Sequence, residues 1–457
     1  MSSTTRPTVV IVGGGFGGIA AAKRLKKAPV RTVLIDQNNY HLFAPLLYQV
    51  ATALLEPAEI ATPIRHILRG ISNAEFLMAR VQNVDFDRKV VVTDHREVAY
   101  DYLVLAAGSK TNYFGNTDLE KATVGMKNLN DAVDLRNRAL TLVEEAKWAT
   151  PEERKKLLSF IVVGGGSTGV ETAGALQELL HTVLKRDFKE MPLDDASVTL
   201  LEASDKLLPP FHPNLQKGAA HQLKRKGVHV RLNTALKEVR AGEAVLSDGS
   251  VVPAGLVVWA AGVAASDLGD IVSDELGRGR TVKVGPTLQY PGRPEVFVIG
   301  DVAAVDWKGQ QLPMIAPVAS QGGKHVAKNI KHLLKGEPLE EFSYLDKGIM
   351  STIGRNSAVM QFKGIRTEGF FAWMSWLFVH LVLIVSGRSQ FSILMNWFWN
   401  YVTNTRAARV ILKPTTTMAL TKSVTESDAQ KIEDQEEAVV SGKSEEIAAA
   451  SSGATRS

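Results

Sequence analysis

A glycine pattern set behind a β-branched run occurs twice in this chain, as VIVGGGFGGI at residues 10–19 and as IVVGGGSTGV at residues 161–170. G-x-G-x-x-G between a strand and a helix ties three backbone positions together. The first glycine makes the turn, the second lets backbone approach a pyrophosphate, and the third lets helix pack on strand. The helix that follows offers free N–H groups and a positive dipole end to phosphate. In the first copy these positions are Gly13, Gly15 and Gly18, interleaved with Gly14, Phe16 and Gly17, and the next predicted strand ends on Asp36. In the second they are Gly164, Gly166 and Gly169, interleaved with Gly165, Ser167 and Thr168, and the next strand ends on Glu202. An acid at that place can accept a hydrogen bond from a ribose hydroxyl. One copy alone can be no more than a tight turn. Two copies, each with its acid, point to two bound dinucleotides.

The halves that follow are built alike. Each closes on an apolar strand entering Ala-Ala-Gly, in YDYLVLAAGS and in GLVVWAAGV, which nominates Ala107, Gly108, Ala261 and Gly262 as ligand contacts. A later strand, EVFVIGDVAAV, runs into Gly300-Asp301, and a helix is predicted from about Pro317 to Leu334. The chain thus returns to its first unit, with the second inserted. The chain has no cysteine, which excludes a disulfide framework, a thiolate nucleophile and a Cys-ligated metal; no metal site is expected. The N-terminus lacks a charged region followed by an apolar one, so no secretory signal is read and the chain is expected to begin in the cytoplasm. Net charge is +5, with acids gathered after Pro414. No Lys/Arg run or basic-aromatic patch suggests nucleic acid, so the basic balance is referred to anionic lipid or dinucleotide phosphates.

Two apolar stretches lie near the end. FFAWMSWLFVHLVLIV, residues 370–385, is short for a spanning helix. FSILMNWFWNYV, residues 391–402, is followed by Arg406, Arg409 and Lys413. Trp373, Trp376, Trp397 and Trp399 with those cations suit a membrane interface; a buried helix pair or a dimer interface is the alternative. Residues 365–413 are therefore expected to be a separable anchor, leaving a folded protein when the chain is cut near Phe362. His380 is read as a polar contact within the helix pair rather than a metal ligand. The Ser-, Thr-, Ala- and Glu-rich segment from Pro414 has too little apolar area to fold alone and is expected to be disordered.

On these motifs residues 7–413 resemble the two-dinucleotide flavoprotein reductases and, among them, the type II NADH:quinone oxidoreductases. The resemblance implies an α/β fold with two Rossmann-like, glutathione-reductase-like domains and a C-terminal membrane-associating helical region. The division expected is 1–118 and 281–338 for the FAD-binding domain, 119–280 for the NADH-binding domain, 339–413 for the membrane-anchoring region and 414–457 for the tail. The first fingerprint and Asp36 would hold non-covalent FAD, Asp301 its ribityl chain, and the second fingerprint with Glu202 NADH or NAD. Glu171 would lie beside nicotinamide and quinone, although a carboxylate in the first turn of its helix could serve the dipole alone. The family's A-Q-x-A-x-Q quinone motif stands here as APVASQ: Gln321 matches the last Gln, Pro317 replaces the first, and Ser320 is a further candidate. Absence of cysteine separates the chain from disulfide reductases and sulfide:quinone relatives. The activity implied is electron transfer from NADH through FAD to a quinone in the respiratory chain, without proton pumping. The partners expected are a quinone, an anionic membrane surface at the cytoplasmic face of the inner membrane, bound peripherally, and a second copy of the chain. A soluble NAD(P)H-dependent reductase of a carrier protein and a non-catalytic NADH-binding flavoprotein are the alternatives.

Overall fold

The computed structural model describes residues 6–412 apart from Pro192 and Asp274; the expectation of a disordered tail falls on residues outside that range. Two parallel sheets organise the described chain. In the first, the strands run in the order 293–298, 102–105, 8–12, 31–36, 74–78, with 289–290 added antiparallel at one edge. Val9, Val10 and Ile11 in its centre are wholly buried, which is why that strand reads as a continuous apolar run instead of alternating. In the second sheet the order is 124–125, 256–259, 159–163, 197–201, 229–231, all parallel. The registers match. Val12 lies opposite Ile35 and Leu105 in one sheet, and Val163 opposite Leu201 and Trp259 in the other. Each glycine turn therefore leaves its sheet beside the acid and the Ala-Ala-Gly corner of its own half. An antiparallel pair, Ser109–Thr111 with Val263–Ala265, joins the two corners.

The late helix, Ala316–Leu333, packs on the first fingerprint helix, Phe16–Arg24. A Cβ on Gly323 would sit 2.1 Å from the Gly17 carbonyl oxygen, so this approach requires glycine. Pro317 stands in the first helical turn, where its missing N–H has no partner to lose.

The C-terminal region departs from the expected helical anchor in three ways. First, residues 349–368 form a three-stranded antiparallel sheet against the second fingerprint helix, Ser167–Glu178, before the helices Phe370–Leu383 and Gly387–Thr403 begin. Its turns use left-handed residues, Asn356 in one and Lys363-Gly364 in the other, as tight hairpins demand. Second, the tryptophans and cations do not all lie at the surface, although Trp399 is 62% exposed. Trp376 is only 1% exposed and Arg406 3%, and Arg409 pairs with Asp187. A cation closing an apolar helix can meet a lipid headgroup or an acid of its own fold, and the acids here lie more than two hundred residues away in sequence. Third, the region is not separable. Cutting near Phe362 would remove an edge strand and draw Trp376 and Arg406 out of the interior.

The helix pair turns a mixed face inward, with Ala372, Trp376 and Ile393 buried beside polar groups, and an apolar face outward. Ser392 and Asn396 donate to Glu59, and Trp397 Nε1 donates to Gln49 Oε1 at 2.8 Å. Phe371, Phe391, Phe398, Trp399 and Val402 point to the outside, and Phe378 stands exposed at the cavity. Among the described residues no helix is long and apolar enough to cross a membrane.

Candidate active site

The two glycine corners are nearly superimposable in their chemistry. Gly13 and Gly164 have φ of 109° and 111°, and a Cβ on either would lie 2.3 Å or 2.5 Å from the carbonyl oxygen of Ala106 or Ala260. Asp36 accepts the Gly14 N–H at 2.6 Å and the Asn38 N–H at 2.7 Å. Glu202 does the same with the Gly165 N–H at 2.5 Å and the Ser204 N–H at 2.7 Å. Burial pushes the Asp36 carboxyl up, and those N–H donors oppose it. Each acid braces its own glycine loop and keeps lone pairs for a ribose. A Cβ at Gly15 or Gly166 would meet nothing; backbone there borders open space at a helix N-terminus, a cradle that fits a pyrophosphate. The donors and the open cradles fit two dinucleotides.

One cavity of about 2510 Å³ lies along the first corner, larger than the roughly 300–1,000 Å³ of an ordinary ligand pocket. Gly13, Gly14, Gly15, Phe16, Gly17, Asp36, Ala107, Gly108, Gly300 and Asp301 line it from the first unit, and Ser167, Thr168 and Glu171 from the second. Pro317, Ser320 and Gln321 of the late helix and His380 of the C-terminal pair complete the wall. Gly18, Gly164, Gly165, Gly166, Gly169, Glu202, Ala261 and Gly262 do not border this cavity; Gly18 is packed against Gly13 inside the first turn, and the others belong to the second corner.

Asp301 sits in a single turn of helix, Gly300–Val302, and its carboxylate accepts from the Ser109 hydroxyl and from Lys127 Nζ at 3.4 Å. Sequence reasoning missed both partners. Ser109 adjoins the Ala107-Gly108 corner, which was the available signal; Lys127 carried none.

Glu171 differs from its expected setting. Its helix begins at Ser167 and has no acid in the first turn, so the carboxylate does not neutralise the helix end. Glu171 Oε1 instead accepts the Thr352 N–H at 3.2 Å and the Ser351 hydroxyl at 3.5 Å, both from the small antiparallel sheet. Burial pushes its pKa up to about 8 against those two donors. The carboxyl is thus mostly protonated at pH 7 and can give a proton to the cavity. Behind it, Tyr48 is buried, accepts from Gln49 Nε2 at 2.8 Å, and is raised well above an ordinary phenol by burial and by the Glu171 charge.

Gln321 is less free than a substrate donor would be. Its Nε2 donates to the Leu345 carbonyl at 3.0 Å, and the Leu345 N–H donates to its Oε1 at 2.9 Å. The amide closes a ring with the irregular segment that leads into the small sheet, and one of its N–H groups remains for the cavity.

The chain is similar to known proteins over most of its length. Residues 7–323 match the pyridine nucleotide-disulphide oxidoreductase family. Over 422 residues the chain is 41% identical to the type II NADH:quinone oxidoreductase Ndh of Mycobacterium tuberculosis, covering 89% of this chain and 90% of that one. It is 31% identical over 386 residues to the type II NADH:quinone oxidoreductase of Haemophilus influenzae, covering 77% and 86%. NDH2 from Plasmodium falciparum, solved in complex with NADH, has the same fold, with a TM-score of 0.82 at 20% identity over 89% of this chain and 100% of that chain.

Proposed function

Because the chain belongs to the type II NADH:quinone oxidoreductases, within the pyridine nucleotide-disulphide oxidoreductase family, we propose that it is a membrane-surface flavoenzyme passing electrons from NADH through FAD to a quinone without moving ions. The observation that carries this reading is the shared cavity, walled by the first corner, the second fingerprint helix, the late helix and a helix pair whose outer face is apolar. FAD, when bound, supplies a ring that takes a hydride and returns electrons singly or in pairs. The rest is the work of the chain. Residues 1–118 and 281–338 would form the FAD unit, with Gly13, Gly15 and Asp36 on the adenosine end and Asp301 on the ribityl chain. Residues 119–280 would form the NADH unit, with Gly164, Gly166 and Glu202 on the dinucleotide. Glu171 would hold a proton beside the reacting rings, and Ser320 and the spare N–H of Gln321 would meet a quinone carbonyl. Pro317 offers no N–H there.

The apolar outer face also supports peripheral seating on a membrane; an anionic leaflet, the cytoplasmic face of the inner membrane and a homodimer belong to the same proposal. A soluble carrier protein would not call for so many outward aromatic side chains. Reconstituted on anionic vesicles, the protein should oxidise NADH with a long-tailed quinone held in the bilayer. Turnover only with a protein carrier would favour the other reading.

Two expected results follow from particular residues. Glu202 should favour NADH, since a carboxylate accepts from a ribose 2′-OH and repels a 2′-phosphate. Glu202→Ala should therefore lower the NADH-over-NADPH ratio of kcat/KM by about tenfold or more, the worth of one charged hydrogen bond; an unchanged ratio would contradict it. Phe391 and Phe398 are 67% and 58% exposed, and burying such a side chain in lipid contributes roughly 1.5–3 kcal/mol. Phe391→Ser and Phe398→Ser should each weaken vesicle co-sedimentation by about tenfold while leaving NADH oxidation by a water-soluble acceptor intact. Undiminished co-sedimentation would place the docking surface elsewhere.

A further inference from the structure

His380 lines the cavity from within the apolar pair, and nothing in the family motifs singles it out. Its Nδ1 lies 2.8 Å from the Trp376 carbonyl oxygen. A carbonyl only accepts, so Nδ1 carries the hydrogen, and in the neutral ring Nε2 is left as a bare acceptor. Burial keeps the ring neutral at cellular pH by pulling its pKa down to about 4. The imidazole is also held still. It stacks on Trp376 with centroids 4.0 Å apart at 22°, and meets Phe43 edge-on at 6.4 Å. Among the described residues no group bonds Nε2.

A fixed, neutral acceptor in the wall of a quinone site has unequal dealings with the two forms of the substrate. A quinone presents two carbonyl oxygens, which are acceptors and gain nothing from Nε2. A quinol presents two O–H donors. We propose that His380 Nε2 accepts a hydroxyl of the quinol and so distinguishes the reduced product from the quinone. This rests on the cavity being the quinone site. By linkage, a group that holds quinol more tightly than quinone draws the bound couple toward reduction and slows release of the product.

The test uses the FAD-loaded protein with tetramethyl-1,4-benzoquinone, its quinol, and 2,3,5,6-tetramethylphenol, which keeps one hydroxyl but is no redox partner. His380→Leu should raise the inhibition constant of the quinol roughly three- to tenfold, the worth of one hydrogen bond, with the KM of the quinone changed less than twofold. Binding of the phenol, read by tryptophan fluorescence without turnover, should weaken by the same factor. His380→Gln, whose amide oxygen can stand near the Nε2 position, should recover most of both effects. Equal losses for quinone and quinol, or no change in either, would overturn the assignment and return His380 to packing. Absence of any NADH:quinone turnover in the unaltered protein would instead overturn the quinone-site reading itself.

Discussion

Glu171→Gln is expected to slow reoxidation of the reduced flavin by quinone roughly 10²-fold at pH 7, the lower range for loss of a positioned acid. Reduction by NADH and FAD content should change little, because Gly13, Gly15, Asp36 and Asp301 are untouched. Burial pushes the carboxyl pKa up to about 8, so it is a proton donor below that pH and a spent acid above it. In the unaltered protein the quinone half-reaction should fall as pH rises through about 8, and the Gln variant should lose this dependence. Stability carries the same signature. A carboxyl whose pKa rises from 4.5 to about 8 on folding binds a proton more readily folded than unfolded. Its contribution is fully present below about pH 4.5 and is lost as pH rises through 8. Stopped-flow measurement of both half-reactions, with denaturation at several pH values, checks each part. Wild-type rates in the quinone half for Glu171→Gln would return the residue to bracing the Ser351-Thr352 strand.

Arg406→Ala is expected to be the most destabilising single change at the C-terminus, by about 3–5 kcal/mol. The guanidinium donates to the Thr52 carbonyl at 2.6 Å, to the Ala175 carbonyl at 3.3 Å and to Glu178 Oε2 at 3.4 Å. Burial lowers its pKa, and Glu178 works against that. Glu178 also takes Lys226 Nζ at 2.9 Å and the Arg355 N–H at 2.6 Å. One buried cation thus joins the helix Leu47–Ala51, the second fingerprint helix and the segment after the apolar pair. Removing it takes the guanidinium from the Thr52 carbonyl and one of three partners from Glu178 in a buried setting, which costs more than the pair itself contributes. Urea denaturation should also show Glu178→Gln with Arg406→Met losing less than the two single changes together. Full additivity, or a loss below about 1 kcal/mol for Arg406→Ala, would mean that the network is not coupled.

What could be read from sequence divides by how local the chemistry is. The glycine corners, their acids and the Ala-Ala-Gly strand ends lie within short runs, and the turn geometry each demands is carried by a glycine at a stated position. Two parallel sheets could therefore be foreseen from two repeated runs. The rest of the site is made of distant pairs. Glu171 meets Thr352, Gln321 meets Leu345, Asp301 meets Lys127, and Arg406 meets Glu178, and no spacing along the chain announces any of them. The strands over 349–368 escaped because none alternates cleanly: IMSTIG and SAVMQF mix apolar and polar residues out of period two, and IRTE has a single apolar residue. In the helix pair, composition indicated aromatic surface but not which side of each helix would be wet, lipid-facing or buried. Trp376 and Trp399 are the same residue type with opposite fates.

In the proposed function one cavity serves both ends of the reaction. The direct measurement is anaerobic: the purified yellow protein is mixed first with NADH and then with a quinone while the flavin absorbance is followed. Bleaching by NADH and return of colour on adding quinone are expected. A flavin band that NADH does not bleach, or one that stays bleached whatever quinone is added, would contradict it.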